Sequence, residues 1–321
     1  MRMEFTRRDF VKFIPSVLAL SFVPKIIWAA DLKIFPGHSG HNFKYIYENE
    51  KLREQYHLFL QNVYSLYPDP ETHNLILELT SSLQSDEAIY KELQKRLPDI
   101  KPFLSIITAS LPALIKQKHE MHSQTDKLIS NMKTANGYME IGTTGRYVGG
   151  IKSAIDLDGP IYLLNTTGPT YNPGDVVERG HIFKVGTYID MGDYTPISAD
   201  VIKPQSLDLV SNYIGFHHAP PDHRDEFIKS VVDTLRPGGK LVLRDHDASN
   251  DDMKFMAALA HDVFNAGLDV SWEKNLAEIR NFTSISEIAD KVSSYGVTAD
   301  SSRLLQAGDP TKNTLMVFTK T

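Results

Sequence analysis

The sequence predicts an α/β protein in which a helical part precedes a doubly wound, mostly parallel seven-stranded sheet with one antiparallel strand. Three observations support this prediction. Apolar residues recur at helical spacing in residues 43–135. From residue 137 onward, short apolar runs alternate with helical patterns, as in parallel sheets covered by helices on both faces. Near the end of the chain, a short Gly-Asp-Pro turn joins two strand patterns, which requires antiparallel pairing.

The composition is that of an ordinary globular protein. Of 321 residues, 41% are hydrophobic and 23% are charged, so the chain can bury a core without covalent cross-links. The net charge of −6 provides no basic surplus for nucleic acid. The absence of cysteine excludes disulfides, zinc–thiolate sites, iron–sulfur clusters and cysteine nucleophiles. We therefore expect no nucleic-acid partner.

The first thirty residues differ from the rest of the chain. A basic head precedes a mostly apolar tract at residues 13–30, and residues 6–12 read Thr-Arg-Arg-Asp-Phe-Val-Lys. This string resembles the twin-arginine export signal. The resemblance implies the twin-arginine translocase as a partner and a location in the periplasm or on the outer face of the inner membrane. The alternative is an amphipathic first helix of a cytoplasmic protein. We assign residues 1–30 to a signal or anchor.

Residues 31–135 are expected to form a helical cap domain that covers a ligand crevice or mediates association. One apolar helical face is formed by Tyr45, Leu52, Tyr56, Phe59 and Val63. A Pro-Asp-Pro break at residues 68–70 ends this helix. Further helices are expected at 71–83, from Ser85 to just before Pro98, at 102–117 and at 119–134.

Residues 136–321 are expected to form the α/β domain. The predicted strands are 138–141, 161–164, 183–189, 207–211, 240–244, 297–306 and 314–319. The predicted helices are 146–156, 173–179, 222–235, 251–265 and 284–295. Ligands bind at the carboxyl ends of the strands in such sheets, so the segments that follow the strands are candidate sites.

Glycine and polar residues follow the first three predicted strands. The string Glu140-Ile141-Gly142-Thr143-Thr144-Gly145 joins the first strand to its helix, where glycines allow close approach and the helix offers free N–H groups. Asn165 ends the second strand. Asp193 follows the third strand, where a carboxylate can accept a hydrogen bond from an exocyclic amine. Tight strand-to-helix and Asx turns are the alternative interpretation of these segments.

Histidines follow two central strands. His217 and His218 come after the fourth predicted strand, and Asp245, His246 and Asp247 come after the fifth. Because these strands are neighbours in the expected fold, the two loops should meet in one crevice. Histidine titrates near neutral pH, so His217, His218 and His246 with Asp245 are candidate acid–base groups. The same groups could bind a divalent metal or form a structural polar network. We predict the acid–base role and no metal site.

The segment Leu235-Arg236-Pro237-Gly238-Gly239 predicts the end of a helix and a sharp turn into a strand. With the preceding loops, in this order, it resembles the class I S-adenosylmethionine-dependent methyltransferases over about residues 137–321. The resemblance implies a Rossmann-like sheet, S-adenosyl-L-methionine as cofactor and methyl transfer to a small-molecule acceptor. It also implies cofactor contacts by Glu140, Gly142, Thr143, Gly145, Asn165, Asp193 and Asn212.

Two positions depart from the family pattern. Thr144 and Arg146 replace the second and third glycines of the family's loop, and Arg146 could either crowd the methionine moiety or pair with its carboxylate. Asn165 stands where the family usually has an acidic residue that binds the ribose hydroxyls.

Three later segments look like the methyltransferase half of the ovothiol-biosynthesis enzyme. They are Arg-Asp-His-Asp at 244–247, Ala-His-Asp-Val-Phe-Asn at 260–265 and Glu-Ile-Arg-Asn-Phe at 278–282. That family's acceptor is a thiol-bearing histidine, and its methyltransferase part is usually joined to an iron-dependent sulfoxide synthase. The helical part of this chain has no evident counterpart of the synthase.

Two other functions stay open. An exported nicotinamide-dependent oxidoreductase would share the doubly wound fold, although the spacing of Gly142 and Gly145 departs from its GxGxxG fingerprint. A non-catalytic ligand-binding protein with a degenerate methyltransferase fold would be consistent with the loose glycine loop and the neutral Asn165.

Overall fold

The computed structural model describes residues 40–64, 66–100, 111–180 and 182–321. The predicted signal at residues 1–30 lies outside the described residues, as does the first part of the helix predicted at 102–117. Among the residues that the structure describes, no helix combines the length and the apolar character needed to cross a membrane.

The N-terminal part is helical, as predicted. Its elements are α1 (Asn42–Tyr47), α2 (Glu50–Phe59), a π-helical turn (Leu60–Tyr64), α3 (Glu71–Ser82), α4 (Asp86–Ile100) and α5 (Leu111–Leu128). The single helix expected before residue 68 is therefore divided. Asn49 interrupts it, because its side chain accepts a hydrogen bond from the Leu52 N–H and so starts a new helix. The prediction that the next helix ends before Pro98 was wrong, since α4 continues to Ile100. A proline so close to a helix end disrupts little of the helix that follows it.

Seven strands form one sheet in the order β3-β2-β1-β4-β5-β7-β6, which confirms the predicted fold class. Strand β7 is antiparallel to β5 and β6, and the other neighbours are parallel. The elements after α5 are β1 (Thr134–Ile141), α6 (Val148–Ala154), β2 (Asp156–Asn165), α7 (Pro173–Arg179), β3 (Thr187–Asp190), β4 (Leu207–Asn212), α8 (Arg224–Asp233), β5 (Leu235–His246), α9 (Asp251–Gly267), α10 (Trp272–Ala277), α11 (Ile285–Ser293), β6 (Val297–Leu305) and β7 (Asn313–Lys320).

Strand β5 begins five residues earlier than predicted. Leu207 pairs with Leu235 and Leu209 pairs with Lys240, so residues 236–239 form a bulge within the strand. Gly238 has a φ of +80°, which favours glycine at this position. The Pro-Gly-Gly segment is thus part of the paired sheet rather than a turn in front of it, because β4 holds both of its ends.

The strand register aligns the segments predicted to bind a ligand. Ile141 of β1 pairs with Leu164 of β2, and the Gly142 N–H donates to the Leu164 carbonyl at 2.8 Å. Asn165 pairs with Asp190 at the end of β3. The loops after β1, β2 and β3 therefore start side by side at one edge of the sheet.

The helical part shares a hydrophobic core with α9. Phe43, Tyr56 and Leu93 belong to the same buried cluster as Leu259 and Val263 of α9. The hydroxyl groups of two tyrosines, Tyr56 and Tyr64, donate to the α9 carbonyls of Leu259 and Val263 at 3.2 and 3.1 Å. These contacts hold the helical part over the carboxyl edge of the sheet. The division at residue 135 into two domains stays a prediction.

Candidate functional site

A cavity of about 140 Å³ lies at the carboxyl edge of the sheet. The ends of β4, β5 and β7 contribute polar residues to it, and α2, the π-helical turn and α9 contribute apolar ones. Residues that line it include Phe59, Val63, Thr143, Arg146, Ile214, His217, His218, Arg244, His246, His261, Phe264, Glu278 and Thr311. The two histidine-bearing loops therefore meet in one crevice, and the helical part forms its roof.

His217 and Asp245 form a buried pair at the base of this cavity. Nδ1 of His217 lies 2.6 Å from Oδ1 of Asp245, and both side chains are almost fully buried. Asp245 also accepts hydrogen bonds from the backbone N–H groups of Phe216 and His246, each at 2.8 Å. Because a carboxylate only accepts, Nδ1 of His217 carries a proton, and in the neutral ring Nε2 is the acceptor. That Nε2 is buried and has no hydrogen-bond partner among the described residues.

Three further histidines repeat this orientation. In each, Nδ1 faces an oxygen: the Ile279 carbonyl for His218 at 3.2 Å, the Thr311 carbonyl for His246 at 3.1 Å, and Oε1 of Glu278 for His261 at 3.2 Å. Each ring therefore presents an unprotonated Nε2. The rings are in contact, with centroids of His217 and His218 4.2 Å apart and those of His217 and His261 5.3 Å apart.

Burial keeps these rings neutral. It lowers the pKa values of His218 and His246 well below the ordinary histidine value, and the neighbouring His217 ring lowers both further. Burial also lowers the pKa of His261, although the Glu278 carboxylate opposes this shift. At neutral pH these three groups are therefore acceptors or ligands, not cations.

The structure adds a polar network that the sequence prediction did not include. Arg280 is fully buried and donates to Asp262 at 2.7 Å and to Glu278 at 2.8 Å. Burial alone would raise the pKa of the Glu278 carboxyl, but Arg280 and His261 outweigh it and hold that pKa well below its usual range. The network orients His261. His261, Glu278 and Arg280 lie in the segments that resemble the ovothiol enzyme, and that resemblance is the signal that could have identified them.

Arg244 brings an unbalanced charge to the cavity. Its side chain lines the cavity and is only 6% exposed, and its Nε has no hydrogen-bond partner among the described residues. No carboxylate in the described part of the chain lies within ion-pair distance of it. A buried cation is costly when it lacks a counter-ion, so this position favours a ligand with an anionic group.

The 142–146 loop is held from below by Glu140. The Glu140 carboxylate accepts hydrogen bonds from the Thr143 hydroxyl, from the Tyr147 N–H at 3.2 Å and from the Tyr138 hydroxyl at 3.0 Å. Burial raises its pKa, although these three donors oppose the shift. Both oxygens are thus used within the protein, so Glu140 shapes the loop. Thr143 lies on the loop and lines the cavity.

The other residues predicted to contact the cofactor lie outside the cavity. Asn165 is buried, donates to the Thr167 carbonyl at 3.1 Å, and has a buried Oδ1 without a partner among the described residues. Asp193 is about one-third exposed and stands near the exposed His223. The Asn212 amide oxygen accepts from the N–H groups of Ile214 and Gly215, both at 3.1 Å, and therefore stabilises a turn.

The Ile214 side chain packs on Gly142 and also lines the cavity. A Cβ on Gly142 would lie 2.2 Å from Cδ1 of Ile214, so the side chain rests directly on the glycine. Gly142 has a φ of +83°, and Gly145 one of +101°. The structure thus brings Thr143, His217, His218 and His246 together in the cavity lining. Gly142, Gly145, Asn165 and Asp193 are not part of that lining.

No protein-family model matches the sequence, and no curated protein matches it. Several solved structures share features of the fold. One is the 1,6-didemethyltoxoflavin-N1-methyltransferase of Burkholderia thailandensis with bound S-adenosylhomocysteine (12% identity, 73% of this chain and 87% of that one, TM-score 0.41). Another is the N-methyltransferase NodS of Bradyrhizobium japonicum with S-adenosylhomocysteine (14% identity, 63% and 86%, TM-score 0.41). A third is described as a possible exported protein of Bordetella parapertussis (14% identity, 87% and 95%, TM-score 0.43). Similarities of this size do not assign an activity, so the chemistry has to come from the site itself.

Proposed function

We propose that this protein transfers a methyl group from S-adenosyl-L-methionine to a small-molecule acceptor bound in the cavity. The observation that carries the proposal is the position of the cavity. It lies beside the 142–146 loop and contains unprotonated imidazole nitrogens at the ends of β4 and β5. The sheet around it has the reversed last strand that the class I methyltransferase resemblance implies.

The edge formed by the loops after β1, β2 and β3 suits a nucleoside. Asn165 has a buried oxygen in need of a donor, which a ribose hydroxyl would supply. Asp193 offers an accessible carboxylate for an exocyclic amine. Gly142 lacks a side chain where the ligand would pass, and the atoms nearest to that position belong to the Ile214 side chain. We propose that Ile214 changes rotamer when the nucleoside binds.

The bound cofactor supplies a methyl group on a sulfonium, which needs no further activation. This chain's residues have to orient the acceptor and remove its proton. Orientation of two reactants is worth on the order of 7–11 kcal/mol. The Nε2 atoms of His218 and His246 provide a place for the proton, and Asp245 orients the neighbouring His217 ring through its contact with Nδ1 at 2.6 Å.

Arg244 supports an acceptor that carries an anionic group. Its guanidinium lies in the cavity with the histidines and has no protein counter-ion within the described residues. A carboxylate of the acceptor would satisfy it with charge-assisted hydrogen bonds. Such a contact would fix one end of the acceptor while its reactive atom faces the imidazoles.

The narrower resemblance also bears on the acceptor. The three segments that look like the ovothiol enzyme's methyltransferase half all reach this cavity, through Arg244, His261 and Glu278. We propose on this basis an acceptor that loses an N–H or S–H proton. Export by the twin-arginine route belongs to the same proposal and depends on residues 6–12, outside the described residues.

Calorimetric titration of the full chain with S-adenosylhomocysteine tests the proposal. We expect one molecule to bind per chain, and Asp193→Ala to weaken binding by about tenfold or more, since a hydrogen bond to a charged group is worth roughly 1.5–3 kcal/mol. Asp200→Ala, an exposed carboxylate in the same loop, is the matched control and should bind normally.

The same titration separates the other functions. Binding of NAD instead of S-adenosylhomocysteine would indicate the oxidoreductase. Folded protein that binds neither compound would contradict the methyltransferase proposal. S-adenosylhomocysteine or S-adenosylmethionine retained by exported protein, detected by mass spectrometry, would reconcile export with a cofactor made in the cytosol.

A further inference from the structure

We infer that His217, His218 and His261 form a binding site for a divalent transition-metal ion, with Zn²⁺ as the best-suited ion, and that one coordination position of this ion faces the cavity. Each of the three side chains offers one ring nitrogen, and these nitrogens all lie within 4.8 Å of one another. His217 and His218 lie on the loop after β4 and His261 lies on α9, which follows β5 in the chain, so the convergence is a property of the tertiary structure.

The surroundings of the three rings are those of metal ligands. Metal-bound histidines almost always donate their second ring N–H to a carboxylate or a carbonyl, which sets the tautomer and the ring orientation. Here His217 donates to Asp245 at 2.6 Å, His261 to Glu278 at 3.2 Å and His218 to the Ile279 carbonyl at 3.2 Å. In the neutral form of each of the three rings, the proton is therefore on Nδ1.

An independent observation points to a ligand at the same place. Nε2 of His217 has no hydrogen-bond partner among the described residues, and water cannot easily replace one because His217 is only 4% exposed. A buried acceptor of this kind costs free energy unless a donor or an ion satisfies it. Phe282 packs against the rings of His217 and His261, with centroids 4.9 and 5.4 Å away, and so limits access of water from that side.

The ligand set selects the class of metal. Three neutral imidazoles suit zinc and its neighbours, and three protein ligands leave a fourth tetrahedral position open, as in catalytic zinc sites. Zn–N bonds of about 2.1 Å place the nitrogens of a tetrahedral site roughly 3.3 Å apart, so modest side-chain movements complete the set. The inference departs from the sequence prediction of no metal, and it differs from the alternative of two or three histidines with Asp245 or Asp247 because no carboxylate belongs to the set. Asp245 acts behind His217, and Asp247 accepts a backbone hydrogen bond from Ile285 at 3.0 Å.

The ion would also explain how the acceptor loses its proton, a point that rests on the proposed function. A thiol or hydroxyl bound at the open position becomes a stronger acid. His246 lies outside the set of three and lines the same cavity, so it remains available to take the proton. The metal site itself does not depend on methyl transfer.

Metal titration of the full chain tests the inference. Protein treated with a chelator and then dialysed should bind one Zn²⁺ per chain by calorimetry. With Co²⁺ it should give the strong visible absorption of a tetrahedral site. Loss of a group that only hydrogen-bonds a metal ligand costs roughly 10–100-fold in affinity. His261→Gln, which removes the least buried of the three ligands, should weaken Zn²⁺ binding by more than that. Asp245→Asn should weaken it by roughly 10–100-fold. His119→Gln, an exposed histidine on α5, is the matched control and should bind as the wild type does.

Circular dichroism of each variant shows whether the fold is intact. Folded wild-type protein without stoichiometric binding, or Co²⁺ absorption unchanged in His261→Gln, would overturn the inference. Titration of metal-free protein with S-adenosylhomocysteine is a separate measurement, so a failure of the metal site and a failure of the proposed function would be distinguishable.

Discussion

At the scale of single residues, the cavity combines neutral imidazoles with a cation that lacks a counter-ion. Asp245 illustrates how one side chain determines the state of its neighbours. It accepts from two backbone N–H groups and from His217, and thereby sets the tautomer of that ring. Arg244 shows the opposite situation, because no carboxylate of the described residues lies within ion-pair distance of it. Sites of this kind reduce stability until a ligand binds.

Replacement of Arg244 should reveal this cost. We expect Arg244→Met to stabilise the ligand-free protein by roughly 1–2 kcal/mol, because an apolar side chain of similar volume removes an unpaired buried charge. Urea denaturation followed by circular dichroism measures the change. Arg236→Met is the control with the opposite sign, since Arg236 pairs with Asp208 at 2.9 Å and its loss should destabilise. If both variants are destabilised, Arg244 has a partner in the free protein.

At the scale of elements, helix ends and strand ends decide where the chain can bind a ligand. Helix α1 has no capping side chain of its own at His41. Instead, Asp86 at the start of α4 accepts hydrogen bonds from the N–H groups of Phe43 at 2.9 Å and Lys44 at 3.5 Å. One buried carboxylate therefore joins α1 to α4 beneath the roof of the cavity.

This link should make stability depend on pH. Burial raises the pKa of Asp86 to about 7, well above its value of about 3.9 in an unfolded chain. The folded state then binds the proton more tightly than the unfolded chain does. The stabilising contribution of Asp86 is therefore complete below about pH 4 and is lost as the pH rises through about 7.

Asp86→Asn keeps an acceptor oxygen and removes the titration. Between about pH 5.5 and pH 7.5, we expect the wild type to lose roughly 1–2 kcal/mol more stability than this variant does. Free energies of unfolding at a series of pH values measure the difference. Glu87→Gln, an exposed neighbour paired with Lys91 at 2.6 Å, should follow the wild type. Equal pH profiles for Asp86→Asn and the wild type would show that Asp86 is already ionised in the folded state.

At the scale of the whole molecule, α9 belongs to the core of the helical part and also carries a cavity residue. Leu259 and Val263 pack with the N-terminal helices, and His261 faces the cavity. The Asn42 amide of α1 donates to Asp262 at 2.7 Å, and Asp262 in turn accepts from Arg280. The helical part, α9 and the histidine cluster are therefore one connected structure.

The described parts of the chain should accordingly unfold as a unit. Differential scanning calorimetry is expected to show one transition, because residues of α9 such as Leu259 and Val263 complete the core of the N-terminal helices. Tyr64→Phe removes the hydrogen bond to the Val263 carbonyl. It should lower the free energy of unfolding by about 1 kcal/mol and move the whole transition to a lower temperature. Two separate transitions, or a shift of only one of them, would contradict the shared core and favour an independent cap domain.

Much of the fold could be predicted from local patterns. Alternating strand and helix periods and the final strand pair are properties of short segments, and they appear in the predicted order. The bounds differ in places: α5 (Leu111–Leu128) is one helix where two were predicted, at 102–117 and 119–134, and β3 covers Thr187–Asp190 where 183–189 was predicted. The histidines after β4 and β5 converge because neighbouring parallel strands end at the same edge. The early start of β5 could not be predicted in this way, because it depends on pairing of Leu235 with Leu207 across the sheet.

The amino-acid sequence by itself determined the order of the elements, the position of the 142–146 loop at the end of β1, and the placement of His217, His218, Asp245 and His246 at one edge. Only the tertiary structure decided that His261 joins them, that Ile214 lies on Gly142, and that Glu140 and Asn212 support loops. The reason is physical. Local periodicity sets which face of an element is apolar, but the contacts of a side chain depend on how elements distant in sequence are packed. The N-terminal helices cover one side of α9, which leaves His261 on the side that faces the cavity.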